Sequence, residues 1–410
     1  MIPLRGIAGL AVLVLVAIVF SADRRAIRPR TVAAALACQI AIGGLVLYLA
    51  AGVGVLAGLA HGVDLLLGYG QRGTEFLFGG LVDSRMTDLF GGKGYVFALR
   101  VLPSIVFVSA LVAMLYHIGV MQRLARLVGA VFQRLLDVSA VESFSAVTTI
   151  FLGQNDLPIV IRPYLRHMSR TELMCAMSSG TASIAASMLA GYAGLGVRLD
   201  YLIAASFMAI PGGLLYAKLL MPTPAGETER GLPVPDEQET RASSIIEAAA
   251  IGATNGARIA FSIAVMLLAF IGLIALLNGC LSGLFGVTME QLLGYIFSPL
   301  SWLLGVPEEA DGFVGQLIGQ KLVFNEFVAY VSLSPYLSDA GALLLDERTK
   351  GIASFALCGF ANFTSIAVLL GCFGGAIPER RGEIAQLGLR AVLAGTLSNL
   401  TSACIAGFFL

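Results

Sequence analysis

Two carboxylates stand in stretches that are otherwise too apolar to hold them. Asp156 follows Gln154 and Asn155 near the middle of an apolar segment at about 139–168, and Glu326 follows Asn325 in another at about 308–336. An ionised carboxylate at the centre of a helix in hydrocarbon costs about 3 kcal/mol even on insertion scales, so each needs a reason to be there. One reason is local: Asp156 and Asn325 can cap the second limb of a broken helix, with Pro158 in the first turn of one. A second is acid–base catalysis by the pair. The chain offers no companion for it, because it has no GxSxG, and His61, His117 and His167 stand alone without an HExxH. Cys38, Cys175, Cys280, Cys358, Cys372 and Cys404 are scattered through apolar segments without a CxxC pair, as small core residues are. Binding a polar cargo is the third reason, and nothing in the sequence opposes it.

Two later segments carry polar notches of their own: Thr181, Ser183 and Ser187 in one, Asn362, Thr364 and Ser365 in the other. A buried Ser or Thr commonly bonds its own backbone one turn back, which accounts for Thr181, Ser187 and Thr364. An asparagine amide cannot be satisfied that way. At i and i+3, Asn362 and Ser365 would share one helical face and present several donors and acceptors to one ligand. Lys321, four residues before Asn325, is expected to pair with a carboxylate or to snorkel, and is given no role.

The elements that must position these groups follow from composition. Of 410 residues, 57% are apolar and only 13% charged, with a mean hydropathy of +0.86. A soluble domain carries about 25% charged residues, so this composition requires a bilayer. Twenty-six basic and 26 acidic residues cancel, which leaves no field for nucleic acid. Apolar stretches at about 6–22, 32–60, 97–120, 172–195, 199–221, 257–284, 351–376 and 385–409 are each long enough to cross about 30 Å of hydrocarbon. The first is expected to be a retained span rather than a signal peptide, because Arg24, Arg25, Arg28 and Arg30 follow its apolar run. The two segments with central carboxylates suit re-entrant hairpins, since irregular backbone at membrane depth is tolerated only inside protein or beside a watery cavity. With both hairpins returning to the side they entered, fifteen basic residues fall on one face and eight on the other. The positive-inside rule then places both termini outside. Residues 121–137 read as an amphipathic helix on the cytoplasmic surface, residues 61–95 as external interface or loop, and the proline-rich residues 222–244 as a cytoplasmic linker.

The two interrupted segments lead into similar helices. Asn155-Asp156 precedes Ser183-Ile184-Ala185, and Asn325-Glu326 precedes Ser365-Ile366-Ala367, with offsets of 170 and 182 residues. A hairpin-plus-helix unit therefore occurs twice, in opposite orientations. The expected fold is an all-α polytopic membrane protein of eight transmembrane helices plus two oppositely oriented re-entrant hairpins in an inverted repeat, with interfacial helices. Its expected divisions are scaffold helices in 1–137, a first repeat in 138–221, a linker and helix start in 222–256, a scaffold helix with an external segment in 257–307, and a second repeat in 308–410. Inverted repeats with helices broken near the midplane mark secondary transporters, with the substrate where the halves meet.

The strings Gly153-Gln154-Asn155-Asp156, Lys321-Leu322-Val323-Phe324-Asn325-Glu326-Phe327-Val328-Ala329-Tyr330 and Gly359-Phe360-Ala361-Asn362-Phe363-Thr364-Ser365-Ile366-Ala367 resemble signatures of the concentrative nucleoside transporters of bacterial type, as does Leu267 to Gly279. The resemblance extends over nearly the whole chain. It implies a homotrimer in the bacterial inner membrane, each protomer importing nucleosides by cation symport with alternating access. It assigns Gln154, Asn155, Asp156 and Met188 to the nucleobase, Glu326, Asn362 and Ser365 to the ribose hydroxyls, and Phe360 to the face of the base. It also implies a sodium site at Thr149, Leu152, Ser183 and Ile184. Thr149 stands where sodium-driven members usually have Asn, and Asn155-Asp156 where the family usually has Thr or Ser followed by Glu. Proton coupling through Asp156 or Glu326 is the alternative to sodium. A related ribose-bearing or nucleobase-like solute is the alternative cargo, and an intramembrane enzyme is a remote third reading. A passive channel would want rings of like groups, which two different half-sites do not supply.

Overall fold

A computed structural model describes residues 2–83, 85–86, 96–224, 242–337 and 345–410. Most of the 222–244 linker, with Arg230 and Arg241, and Lys93 in the 61–95 stretch lie outside the described residues. Among the described residues the fold is all helical, and seven helices are long and apolar enough to cross a membrane.

The chain opens with α1 (Ile2–Val19), α2 (Pro29–Leu47) and α3 (Ala50–Phe78). Pro29 suits the first turn of α2, where its missing N–H is not needed. The span expected over 32–60 is thus two helices parted at residues 48–49. The part of 61–95 read as interface or loop continues as helix to Phe78. After a short helix at Phe97–Arg100 come α4 (Leu102–His117) and α5 (Val120–Leu136). Helix α5 is the amphipathic helix expected at 121–137: Met121, Ala125, Gly129, Phe132 and Leu136 are buried along one stripe, while Arg123 and Arg134 lie off it.

The first carboxylate segment is α6 (Ala140–Val160), broken at Gly153, and a short helix at Arg162–Leu165 follows it. Ser139 and Glu142 close its start with a capping box, and Ser169 and Glu172 do the same for the next helix. That next stretch, expected as one span over 172–195, is two half-helices, α7 (Arg170–Ala182) and α8 (Ala186–Gly194), separated at residues 183–185. Helix α9 (Leu199–Leu220) is buried for nearly its whole length.

Helix α10 (Ile245–Phe285) has 41 residues, about 60 Å at 1.5 Å per residue. That is roughly twice the hydrocarbon thickness, so the span expected over 257–284 is only its C-terminal part. Helix α11 (Met289–Leu303) leads to the second carboxylate segment, made of α12 (Glu308–Val323) and α13 (Glu326–Leu333). The stretch expected as one span over 351–376 is again two half-helices, α14 (Glu347–Leu357) and α15 (Thr364–Ala376), parted at residues 358–363. Helix α16 (Arg381–Phe409) closes the fold.

The core is built of α7, α9 and α16 with α2 packed against them, and polar side chains bind these helices together. Gln39 Nε2 donates to Ser402 Oγ at 2.9 Å, Thr181 Oγ1 donates to Ala391 O at 2.7 Å, and Tyr216 and Thr401 hydroxyls lie 2.5 Å apart. Such bonds replace water, which a bilayer does not provide. Helices α4 and α10 pack on each other, and α10 turns Phe261, Leu268 and Leu284 outward. In water such a surface would be a liability, whereas in lipid it is the expected exterior.

Candidate functional site

Four chain interruptions meet in the core. Gly153 has φ 66° and ψ −173°, a conformation essentially open only to glycine. A β-carbon there would lie 2.9 Å from Ala185 Cβ and 3.1 Å from Phe360 Cε2, so the backbone also needs the missing side chain to approach its neighbours. The break at residues 183–185 is joined to the break at residues 358–363 by Phe360 N–H donating to Ser183 O at 3.3 Å. That second break is joined to the first limb of the other carboxylate segment by Phe363 N–H donating to Leu322 O at 3.1 Å. Asn325 begins α13 as its N-cap, its Oδ1 accepting from Val328 N–H at 2.9 Å, which is the capping role foreseen for it.

A chain of hydrogen bonds crosses this meeting point. Gln154 Nε2 donates to Ser365 Oγ at 3.1 Å. Ser365 Oγ lies within reach of Phe360 O and 3.1 Å from Asn362 Oδ1, which also accepts from Ser365 N–H at 2.9 Å and Thr364 Oγ1 at 2.6 Å. Asn362 Nδ2 donates to Glu326 Oε2 at 3.1 Å, and Tyr192 OH donates to Glu326 Oε1 at 3.0 Å. Glu326 is only 5% exposed. An ionised carboxylate has about four acceptor sites, and these contacts occupy two, leaving room for hydroxyl donors. Gln154 Oε1 and Ser183 Oγ are buried without a partner among the described residues. Each such orphan costs about 1–3 kcal/mol unless something fills it, which a bound polar solute or ion would do.

Of the residues singled out in the sequence, Gln154, Glu326, Asn362 and Ser365 are thus brought into one network. Phe360 lies against Gly153 beside it, and Met188 is buried on α8. Asn155 is exposed and Asp156 half-buried, with no side-chain hydrogen bond or ion pair for either among the described residues. The sodium candidates Ser183 and Ile184 are buried in the first break. Leu152 is half-buried at the end of the first limb, and Thr149 Oγ1 donates to Ala146 O at 2.7 Å, keeping its lone pairs for another partner.

Three expectations are corrected. Asn362 and Ser365 do not share a helical face, because Asn362 lies in the break and precedes α15. Its side-chain oxygen serves the first turn of that helix, as a cap does. Thr364 bonds Asn362 rather than its own backbone. Lys321 is 2% exposed, too deep to snorkel, and its ammonium bonds the Ala356 carbonyl and Asn399 rather than a carboxylate. Two residues went unrecognised in the sequence: Tyr192, which holds Glu326, and Asn399, which lies 2.7 Å from Lys321 behind the site. Asn399 interrupts the apolar run of α16 as Asn362 interrupts its own segment, so the same criterion applied to it would have found it.

A sequence model described as Na+ dependent nucleoside transporter C-terminus matches residues 201–407, its N-terminal counterpart matches 8–81, and a nucleoside-recognition model matches 98–198. This chain belongs to the sodium-dependent nucleoside transporter family. An uncharacterized transporter of Haemophilus influenzae is 47% identical over 99% of this chain and 98% of its own length. Nucleoside permease NupC of Helicobacter pylori is 43% identical over 98% of this chain and 97% of its own. The solved structure of CNTnw in an inward-facing substrate-bound state is 50% identical, covers 100% of this chain and 99% of the other, and superposes with a TM-score of 0.96. The transporter is accordingly a multi-pass helical membrane protein that moves nucleosides by cation symport, and it is not an enzyme.

Proposed function

We propose that the transporter imports nucleosides with sodium as the coupling ion, and that Glu326, Asn362 and Ser365 hold the ribose while Gln154, Asn155, Asp156 and Met188 face the base and Phe360 lies against it. The observation that carries this reading is the hydrogen-bond chain from Gln154 through Ser365 and Asn362 to Glu326. A carboxylate with free acceptor sites suits vicinal hydroxyls, because charge-assisted hydrogen bonds are roughly twice as strong as neutral ones. An aromatic face with a few amide groups suits a flat base.

The sodium ion is assigned to Thr149, Ser183 and the carbonyls of Leu152 and Ile184, an all-oxygen set of the kind hard cations prefer. The unpartnered Ser183 hydroxyl supports that assignment. The broken segments α6 and α12–α13 are assigned as re-entrant hairpins of opposite orientation within the repeats 138–221 and 308–410, with 1–137 and 257–307 as scaffold and 222–256 as linker. The basic residues around α2 and α5 support a cytoplasmic position for that end and external termini. The homotrimer and the bacterial inner membrane rest on the family resemblance alone.

Uptake of labelled uridine and adenosine into proteoliposomes tests the reading, with an inward sodium gradient, an inward proton gradient, or neither. Accumulation that requires the sodium gradient is the expected result. Accumulation that follows the proton gradient in sodium-free buffer would replace sodium by protons, and release of free base from either nucleoside would remove the reading altogether.

A further inference from the structure

At the end of the bundle where α2 begins and α9 ends, charged groups face a shallow cleft that takes no part in the transport site. It is lined by Arg28 and Thr31 at the start of α2, Asp137 at the end of α5, and Lys218 and Thr223 at the end of α9. Its enclosed floor has room for about one water, so any larger ligand sits in the mouth with most of its body outside.

Several donors at the cleft are unfilled. Thr31 is 5% exposed, and its hydroxyl bonds no described residue. Lys218 Nζ donates to Glu142 Oε1 at 2.6 Å and to Thr223 Oγ1 at 2.7 Å, which leaves the third N–H of its ammonium over. The Arg28 guanidinium is exposed and makes no ion pair or hydrogen bond among the described residues. Arg28 is also the N-cap of α2 and supplies no acceptor to it, so the N–H groups of Arg30 and Thr31 go uncapped. A helix start carries about half a positive charge, and no acid in the first turn of α2 answers it. Of the nearby carboxylates, Glu142 is held by Lys218 and by Ser139 N–H at 2.9 Å, and Asp137 pairs with neither Arg28 nor Lys218. The cleft is thus rich in donors and short of acceptors.

Beside it, α5 shows a second apolar stripe besides the buried one. Leu124, Leu127, Val131 and Leu135 are all exposed, at spacings of three and four that set them on one helical face, and the stripe stops two residues before Asp137. The charged residues of α5 are Arg123, Arg126 and Arg134, with no acid among them. An apolar face flanked by arginines suits acyl chains beneath anionic headgroups, and basic pockets between membrane helices suit the headgroups themselves. Free phosphate would have no use for the stripe.

We propose that the cleft between α2, α5 and α9 binds the phosphate of an anionic membrane lipid. Arg28, Lys218, the Thr31 hydroxyl and the start of α2 hold the phosphate, and the acyl chains lie along the exposed stripe of α5. Asp137 opposes the negative charge and lowers the affinity below what the cations alone would give.

The full-length transporter in detergent, titrated with dioleoylphosphatidylglycerol, dioleoylphosphatidylcholine or sodium phosphate, tests this. Native mass spectrometry reads lipid retention, and the melting temperature reads all three additions. Phosphatidylglycerol should be retained and should raise the melting temperature, whereas phosphatidylcholine and free phosphate at equal concentration should do neither. Arg28→Gln should weaken phosphatidylglycerol about fivefold, the share of one basic residue near a membrane surface. Thr31→Val, which removes a hydroxyl donor to a charged group, should weaken it about tenfold. Asp137→Asn keeps a residue that tolerates the left-handed φ of 54° and should tighten it about fivefold. Without lipid, R28Q and T31V should melt as wild type does; if T31V does not fold, R28Q and D137N, at exposed positions, carry the test. Equal retention of phosphatidylcholine, a melting response to free phosphate that matches the lipid's, wild-type affinity in R28Q, or weaker binding by D137N would each overturn the proposal.

Discussion

Glu326→Gln is the substitution on which the ribose assignment stands. It preserves the volume of a buried side chain and changes only what its two terminal atoms offer. The amide must set its oxygen toward Asn362 Nδ2, now 3.1 Å from Oε2, since two N–H groups cannot face each other there. Its nitrogen then faces Tyr192 OH, 3.0 Å from Oε1, and the hydroxyl turns to accept. Both protein contacts thus survive, but a ribose hydroxyl loses a charged acceptor. Hydrogen bonds to charged groups contribute about 1.5–3 kcal/mol and neutral ones about 0.5–1.5, so each hydroxyl loses about 1–1.5 kcal/mol. Two vicinal hydroxyls lose about 2–3 kcal/mol, which weakens uridine binding about 30–140-fold. Titration calorimetry of purified wild type and E326Q with uridine, 2′-deoxyuridine and 2′,3′-dideoxyuridine forms a cycle between residue and substrate. Wild type should discriminate steeply among the three ligands and E326Q only weakly, since a neutral partner keeps part of each hydrogen bond, and the dideoxynucleoside should lose no more than about threefold on substitution, near the error of additivity. Binding of uridine by E326Q within that same margin of wild type, or an equal loss for the dideoxynucleoside, would refute the assignment.

Gly153→Ala forces a β-carbon against Ala185 and Phe360 at a φ of 66°, which should cost about 1–3 kcal/mol; a lowered melting temperature with loss of uridine uptake is expected, and wild-type values of both would contradict the strain argument. Lys218→Met strips the partner 2.6 Å from Glu142, which is 1% exposed, and leaves a buried carboxylate uncompensated at about 3–5 kcal/mol. Thermal melts should place K218M well below wild type and the double variant E142Q/K218M between them, whereas a double variant no better than the single one would deny the pairing.

The site was legible in the sequence to the extent that its residues are polar where the surroundings are apolar. Glu326, Asn362 and Ser365 announced themselves in that way, and the two offsets between like motifs pointed to a repeat. What hydropathy does not encode is backbone conformation. Residues 183–185 are Ser, Ile and Ala, with no proline or glycine, so the interruption between α7 and α8 left no mark in an apolar count. The parting of α2 and α3 at Tyr48 and Leu49 is equally silent. Tyr192 escaped for a related reason: an aromatic residue in a buried helix reads as core, and only the 3.0 Å contact with Glu326 reveals its hydroxyl as part of the site. Lys321 was visible but uninterpretable, because its partners Ala356 and Asn399 are 35 and 78 residues away in the chain.

The bonds between residues 138–221 and 308–410, the proposed repeats, also constrain what can move. Ser334, just after α13, donates its hydroxyl to Leu195 O at 2.6 Å, at the end of the first repeat's half-helix α8. In the opposite sense, Arg380, just after the second repeat's half-helix α15, donates to Leu165 O at 2.9 Å and Met168 O at 2.7 Å, where the first broken segment ends. Midway between these straps lie the Gln154–Ser365 and Phe360–Ser183 bonds, with Asn399 behind them. Sliding one repeat past the other would sever all three levels at once, inside a medium that offers the freed groups no water. The contact between the α4–α10 pair and this assembly is of another kind: α4 packs on α8, and α10 approaches Asn325 through the Met266 sulfur, a weak acceptor 4.0 Å from the amide nitrogen. Apolar surfaces can exchange one packing for another at small cost, whereas hydrogen-bonded straps cannot. Alternating access, on the proposed reading, is therefore the travel of both broken segments and both pairs of half-helices together, carrying an assembled site past the α4–α10 pair rather than opening it along the seam between the repeats.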